Sequence, residues 1–156
     1  MSVQKIEYKV FEGVLEDQVL DWVADVNGKV FDFGETKENL SAALQGRSKI
    51  VTCLAFDNGK PIGFKLGFAE RPYYFESWRG GVLEEYRGNG IAKELSKQQH
   101  SVCKRLGFRF VTTITHNQNI PMIIVNLRNG FEIVGTYFDR REHVKVLFQK
   151  WLVPKQ

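Results

Sequence analysis

Val82-Leu83-Glu84-Glu85-Tyr86-Arg87-Gly88-Asn89-Gly90-Ile91-Ala92 joins an apolar, aromatic segment, Tyr73 to Val82, to an amphipathic stretch that continues past position 100. A strand, a glycine-rich turn and a helix start bring free backbone N–H groups and the positive end of a helix dipole to one point. Such a point binds phosphate. Gly88 and Gly90 have no Cβ, so a phosphate can approach the main chain closely. Arg87 adds a fixed positive charge with a forked donor geometry.

Two common nucleotide-binding patterns fail here. The Walker pattern needs Gly-Lys-Ser or Gly-Lys-Thr at the second glycine, and Ile91-Ala92-Lys93 follows Gly90. The dinucleotide pattern needs a third glycine at position 93, which is Lys93. The stretch instead resembles the Arg/Gln-x-x-Gly-x-Gly/Ala signature of the GCN5-related N-acetyltransferase superfamily, read on Arg87, Gly88, Asn89, Gly90 and Ala92. It also resembles the bacterial variant Val-x-Pro-x-Tyr-Arg-Gly-x-Gly-Ile-Ala from Val82 to Ala92, with Glu84 at the proline position.

The resemblance implies a fold and a cofactor. The expected architecture is α/β (α+β), a mixed, mostly antiparallel seven-stranded sheet flanked by about four helices, in one domain over residues 1–156. The expected co-substrate is acetyl-coenzyme A. Its pyrophosphate would lie over Arg87, Gly88, Asn89, Gly90, Ile91 and Ala92. Its pantetheine arm would bond the backbone of Val82 and Leu83 where the fourth and fifth strands diverge, a form of strand addition. Asn117, just after the fifth strand, and Asn126 would complete the coenzyme set. Many members carry a Tyr four residues before a Gly-Phe pair, as the acid that protonates the leaving thiolate. Gly130-Phe131 matches the pair, but the Tyr position holds Asn126, which cannot act as an acid.

Size and composition bound the rest. The chain has 156 residues, 43% hydrophobic and 26% charged, as in an ordinary globular domain. No apolar run is long enough to span a membrane, and Met1 to Tyr8 lacks the apolar core of a signal peptide. The expected location is the cytoplasm. Cys53 and Cys103 fall in apolar segments and read as buried reduced thiols. His100, His116 and His143 are scattered, so no metal site is expected. The net charge of +4 would suit a polyanion, yet the basic residues are dispersed and lack a base-stacking motif. A nucleic-acid partner is therefore not expected, nor a membrane. A homodimer stays open.

The periodicity predicts strands over Lys5 to Phe11, Ile50 to Phe56, Pro61 to Ala69, Tyr73 to Leu83, Phe108 to Thr115, Ile133 to Phe138 and His143 to Leu152. It predicts helices over Leu15 to Val26, from a Thr36 cap to Gly46, from Ile91 to Leu106, and from Asn119 to Asn129. Gly80-Gly81 within the fourth strand predicts a bulge or a close backbone approach.

Acyl transfer to an amine needs placement of the thioester, removal of the amine's proton and a donor for the oxyanion. Val82 N–H is the candidate donor. Glu76, on the same strand, is the candidate base, with His116 as the alternative. Glu76 would share a face with Val82 unless a bulge breaks the parity. Tyr86 and Tyr137 are weaker substitutes for the missing acid. Glu84 and Glu85 are expected to point away from the pyrophosphate. The acceptor would enter past Phe31-Asp32-Phe33 and Tyr74, with Phe31, Asp32, Glu35, Tyr74 and Glu76 suited to a cationic amine. The expected function is acetyl transfer to a primary amine by direct attack on the thioester. The alternative is a non-catalytic acyl-coenzyme A binding or sensor module.

Overall fold

Seven strands and four helices follow from these patterns, in a computed structural model that describes residues 5–32 and 34–154. They are β1 (Glu7–Glu12), α1 (Asp17–Val30), α2 (Lys37–Leu44), β2 (Val51–Asp57), β3 (Lys60–Arg71), β4 (Tyr74–Val82), α3 (Ile91–Arg105), β5 (Phe110–His116), α4 (Ile120–Arg128), β6 (Glu132–Phe138) and β7 (Val144–Trp151). A single 3-10 turn, Glu84–Tyr86, links β4 to the glycine loop. Thr36 caps α2 by accepting the Asn39 N–H at 3.2 Å, as expected of that residue.

The strands form one sheet in the order β1-β2-β3-β4-β5-β7-β6. Only β4 and β5 run parallel, and their ladder has three rungs, Tyr74–Phe110, Phe75–Val111 and Glu76–Thr112. Beyond Glu76 the two strands part. The hydroxyl of Thr113 still donates to the Ser77 carbonyl at 3.2 Å, and no ladder rung follows. The expected mixed, mostly antiparallel sheet with a divergent central pair is therefore present.

Two glycines show which helix covers which face. A Cβ at Gly81 would meet the Val30 side chain of α1 at 2.8 Å, and one at Gly63 would meet Ile91 of α3 at 3.4 Å. Phe64 pairs with Gly81 and Gly63 with Val82. Adjacent strand residues face opposite ways, so α1 and α3 lie on opposite faces. The core fills both sides, with Val23, Val26 and Leu40 fully buried under the first pair of helices and Leu95 and Cys103 under α3.

The paired glycines thus mark a close approach, not the bulge. The register slips where Leu66 pairs with Arg79 and Gly67 with Ser77, which leaves Trp78 as the extra residue. Glu76 sits opposite Phe68 and Val82 opposite Gly63, five residues apart on β3. Glu76 and Val82 therefore face opposite sides of the sheet, which corrects the shared face drawn from even spacing.

Helix α1 also runs four residues past its expected end, through Gly28. A mid-helix glycine costs about 1 kcal/mol relative to alanine. Val30 continues the stripe of Val19, Val23 and Val26, and its seat on Gly81 offsets that cost. Gly81→Ala should consequently destabilise the fold by about 1–3 kcal/mol through overpacking against a stiff β-branched side chain. A lowered urea midpoint with an unchanged slope checks this; an unchanged midpoint would mean that α1 shifts freely.

Candidate active site

The loop after β4 is built to leave its backbone exposed. Gly88 and Gly90 have φ of 80° and 76°, a left-handed conformation that glycine adopts without strain. A Cβ at either would meet nothing within 4 Å, so open space borders both. Gly90 is the N-cap of α3, and the first bond made inside the helix runs from the Glu94 N–H to the Gly90 carbonyl at 3.0 Å. The N–H groups of Ile91, Ala92 and Lys93 thus lie ahead of the helical ladder, at the positive end of the dipole.

The surrounding side chains hold this loop in shape. Arg87 donates from Nε to the Val82 carbonyl at 3.0 Å, which leaves its two terminal nitrogens toward solvent. Asn89 folds its amide back onto the carbonyls of Tyr86 and Arg87. The Tyr86 hydroxyl donates to Asp57 at 2.6 Å and ties the loop to the β2–β3 hairpin. Glu85 lies 3.9 Å from Lys60 of the same hairpin, so its charge is directed away from the glycines. Ile91 is buried and anchors the helix start, whereas Ala92 is exposed beside the loop.

The backbone of β4 divides its donors between two neighbours. The Leu83 N–H bonds the Ile62 carbonyl of β3 at 2.9 Å, and the Leu83 carbonyl accepts from Tyr86. Both backbone groups of Leu83 therefore have partners inside the protein, and its carbonyl keeps one lone pair. Successive strand amides alternate in direction, so the Val82 N–H points the other way, into the gap between β4 and β5.

Across that gap, Asn126 of α4 is buried and donates to the Thr115 hydroxyl of β5 at 3.1 Å. Asn117 stands just after β5, as expected. Its N–H is bonded to the Val144 carbonyl and its side chain is exposed. Asn119, two residues on, caps α4 by accepting the Met122 N–H at 3.3 Å. Asn119 is the asparagine that starts α4, where the sequence already begins that helix.

On the opposite face, Glu76 is half-buried. Burial, then the charge of Glu70, pushes its carboxyl above the ordinary range, against smaller opposing effects of Arg47 and Arg79. Arg79 lies over the Trp78 ring at 4.5 Å and grips Glu35 with Nε at 3.0 Å and Nη2 at 2.6 Å. Glu35 also accepts from Asn27 at 3.1 Å. Burial opposes ionisation of Glu35, but these hydrogen bonds and the Arg79 charge outweigh it and lower its pKa. Glu35 is consequently neutralised within the protein and is not a free anion for a cationic acceptor. Trp78 and Arg79 were missed in the sequence because the bulge destroys the strand alternation there.

The remaining candidates separate. Phe31 and Asp32 are exposed just after α1, whose last residue Val30 rests on Gly81, so they lie beside the mouth of the gap. Phe33 lies outside the described residues. Tyr74 lies at the paired end of β4, eight residues and about 25 Å from Val82 along an extended strand. Its ring is stacked on Phe110 at 4.5 Å and covered by Arg71 at 3.9 Å. It is therefore not brought together with the loop. His116 accepts from Lys145 at 2.9 Å through Nε2, a contact that requires a neutral ring. Loss of solvent, then Lys145 and His143, holds its pKa below the usual value. Cys53 and Cys103 are free and buried, with thiols pushed up to about 12 by burial, so neither is a nucleophile. Among the described residues no group of three or more His, Cys, Asp or Glu side chains could hold a metal ion. Among them, too, no helix is long and apolar enough to cross a membrane.

Comparison with known proteins agrees with this geometry. The acetyltransferase (GNAT) family model matches residues 13–131, from just after β1 to the Gly130-Phe131 pair. No curated protein matches the chain by sequence. Among solved structures, the ribosomal-protein-S18-alanine N-acetyltransferase from Escherichia coli superposes with a TM-score of 0.79 at 12% identity, over 96% of this chain and 97% of that one. The PaiA N-acetyltransferase from Thermoplasma acidophilum, in complex with coenzyme A, gives 0.72 at 18%, over 94% and 99%. The NatC complex bound to Gag peptide and coenzyme A gives 0.76 at 18%, over 96% and 99%. At these identities the structures speak for the fold, and the family model speaks for descent. An acyltransferase fold, an open glycine loop at a helix start and a family match over most of the length converge: the chain belongs to the acetyltransferase (GNAT) family and is an enzyme that uses acetyl-coenzyme A.

Proposed function

We propose that the chain transfers the acetyl group of acetyl-coenzyme A to a primary amine, with the amine nitrogen attacking the thioester carbonyl directly. The observation that carries this reading is the open mouth between β4 and β5, with Gly88, Gly90 and the α3 N-terminus at its rim. The residues fit the coenzyme: space is open at both glycines, and the N–H groups of Ile91 to Lys93 face it. Arg87, Gly88, Asn89, Gly90, Ile91 and Ala92 would hold the pyrophosphate, and Val82 and Asn126 the arm. The thioester supplies an activated acyl carbon and a good leaving group.

The protein's own residues do the rest. Val82 N–H, aimed into the gap, is placed to donate to the developing oxyanion. Glu76, on the opposite face and half-buried, takes the amine's proton directly or through one water. Phe31 and Asp32 flank the acceptor's entry from the α1 face. The proposed acceptor is a small-molecule amine or a peptide, the proposed setting is the cytoplasm, and a second copy of the chain is the proposed macromolecular partner.

The test is release of free thiol from acetyl-coenzyme A against a panel of amines and short peptides, with the acetylated product weighed by mass spectrometry. Turnover with a primary amine supports the reading. Tight coenzyme binding with no turnover across the panel would make the chain a binding module instead.

Asn126 bears on the choice. It has no proton to give in the working range, and its amide is engaged with Thr115. Asn126→Ala should therefore leave both ionisations of the pH–rate profile in place. It should cost about 1–3 kcal/mol of stability by leaving the Thr115 hydroxyl unsatisfied. Disappearance of the basic limb in this variant would contradict the assignment.

A further inference from the structure

Two arginines at the paired end of β4 and β5 are laid flat on tyrosines. Arg71 lies 3.9 Å over the ring of Tyr74, and Arg109 lies 4.5 Å over the ring of Tyr73. Among the described residues neither guanidinium has a carboxylate partner. Stacking fixes the plane of a guanidinium and leaves its N–H fork free for an oxyanion. The backbone sets one of these rings in place. Tyr73 has a φ of 70°, a left-handed conformation that is an outlier for a bulky residue. Its carbonyl is held there by the N–H groups of Arg109 and Phe110, at 2.9 and 3.0 Å.

The arginines border a hollow with aromatic walls. Phe110 stacks on Tyr74 at 4.5 Å and meets the Trp151 ring edge-on at 4.5 Å. Arg109, Phe110, Trp151 and Val153 line a cavity of about 290 Å³, near the lower end for small-molecule sites.

Its position relative to Glu76 decides what it holds. Tyr74 pairs with Phe110 and Glu76 with Thr112, so these four side chains share one face of the sheet. Trp151 stands opposite Phe110 on β7. Helix α1 packs over β3 and β4, and beyond it this face is open, with Ile114 of β5 42% exposed. The hollow is therefore one strand repeat, about 7 Å, from Glu76 and on the same side of the sheet. Charge changes sign along this groove. Arg71 and Arg109 are at one end; at the other, Glu70 accepts from the Thr112 hydroxyl at 3.2 Å, beside Glu76. We propose that the hollow seats an oxyanion, a carboxylate or a phosphate, carried on a flat ring by the acceptor, whose amine reaches Glu76 about 7 Å away. The proposal rests on the amine acetylation put forward above and narrows the acceptor to an aromatic zwitterion.

Binding is read first, without turnover. The probes are para-methylbenzoate and para-tolyl phosphate, which carry the ring and the acid but no amine. Each is titrated against the full chain by tryptophan fluorescence, with Trp151→Phe as the blank. Quenching is expected, and the stronger of the two probes identifies the acid. Arg71→Gln and Arg109→Gln, checked for folding by circular dichroism, should each weaken it about tenfold, the lower end for a hydrogen bond to a charged group. Quenching by neither probe overturns the proposal, as does quenching of equal strength in both folded variants. Turnover then ties the hollow to the reaction. The amine that carries the preferred acid, para-(aminomethyl)benzoate or para-(aminomethyl)phenyl phosphate, should exceed benzylamine in kcat/KM by about tenfold or more, chiefly through KM. Equal values for the acid-bearing amine and benzylamine overturn the proposal. A chain that binds the acids in this hollow and acetylates no amine would refute the proposed function and uphold the oxyanion site.

Discussion

Gly90→Asp should weaken coenzyme A binding about a hundredfold, which is about 2.7 kcal/mol at 25 °C. Gly90 caps α3 in a left-handed conformation with open space where a Cβ would go. The aspartate would fill that space and put a carboxylate where the ligand's own negative charge belongs. A charge at a helix end is worth up to about 2 kcal/mol in partly buried geometry, here with the unfavourable sign for the ligand. Asp tolerates the left-handed region better than most residues, so the fold should survive. Titration calorimetry measures the loss. Gly90→Asn, with the same shape and no charge, should lose about a third to a half of that energy. Undiminished affinity in a folded Gly90→Asp protein would move the coenzyme away from this loop.

Glu76→Gln should lower turnover at neutral pH by about a hundredfold to ten-thousandfold, the usual worth of general-base assistance. Coenzyme A affinity should be unaffected, because Glu76 is on the other face of the sheet from Val82. In the native enzyme the acid limb of the pH–rate profile should reflect a carboxyl titrating above its ordinary 4.5, raised by burial and by Glu70. The variant should lose that limb and recover partly at high pH, where more amine is already neutral. Stability supplies a control of opposite sign. A carboxyl whose pKa is raised in the fold binds its proton more tightly there than in the unfolded chain. It therefore destabilises the protein increasingly as pH rises through that window. Glu76→Gln should leave the melting temperature equal or higher at pH 7, so lost turnover cannot be assigned to unfolding. Turnover within about twofold of the native enzyme would pass the proton to water or His116.

The fold was legible because its strongest signals are local. The glycine loop, the helix from Ile91 with its apolar Ile91, Leu95, Val102 and Leu106, and the tight turn at Asn58-Gly59 are each set by neighbours within a turn or two, and the structure has them all, with Val102 and Leu106 partly buried. The errors came where distant packing overrides local preference. Helix α1 passes through Gly28 because Val30 finds Gly81, a contact fifty-one residues away. Glu35 looked like a free anion until Arg79 arrived from β4. The Leu83 N–H belongs to the loop in sequence, but to β3 in space. Asn117 and Asn119 differ only in which one begins a helix, and only the cap geometry separates them.

The single inserted residue in β4 has a wider consequence. Without Trp78 the strand would show one continuous side to each layer of helices. With it, the half toward Tyr74 and the half toward Val82 are out of phase, like a zipper with one tooth added. In the proposed reaction the two reactants would then be served from opposite sides of the sheet, each by its own half of β4. Changes on the α1 side could retune the acceptor without disturbing the thioester's seat, and deletion of Trp78 should scramble both seats at once.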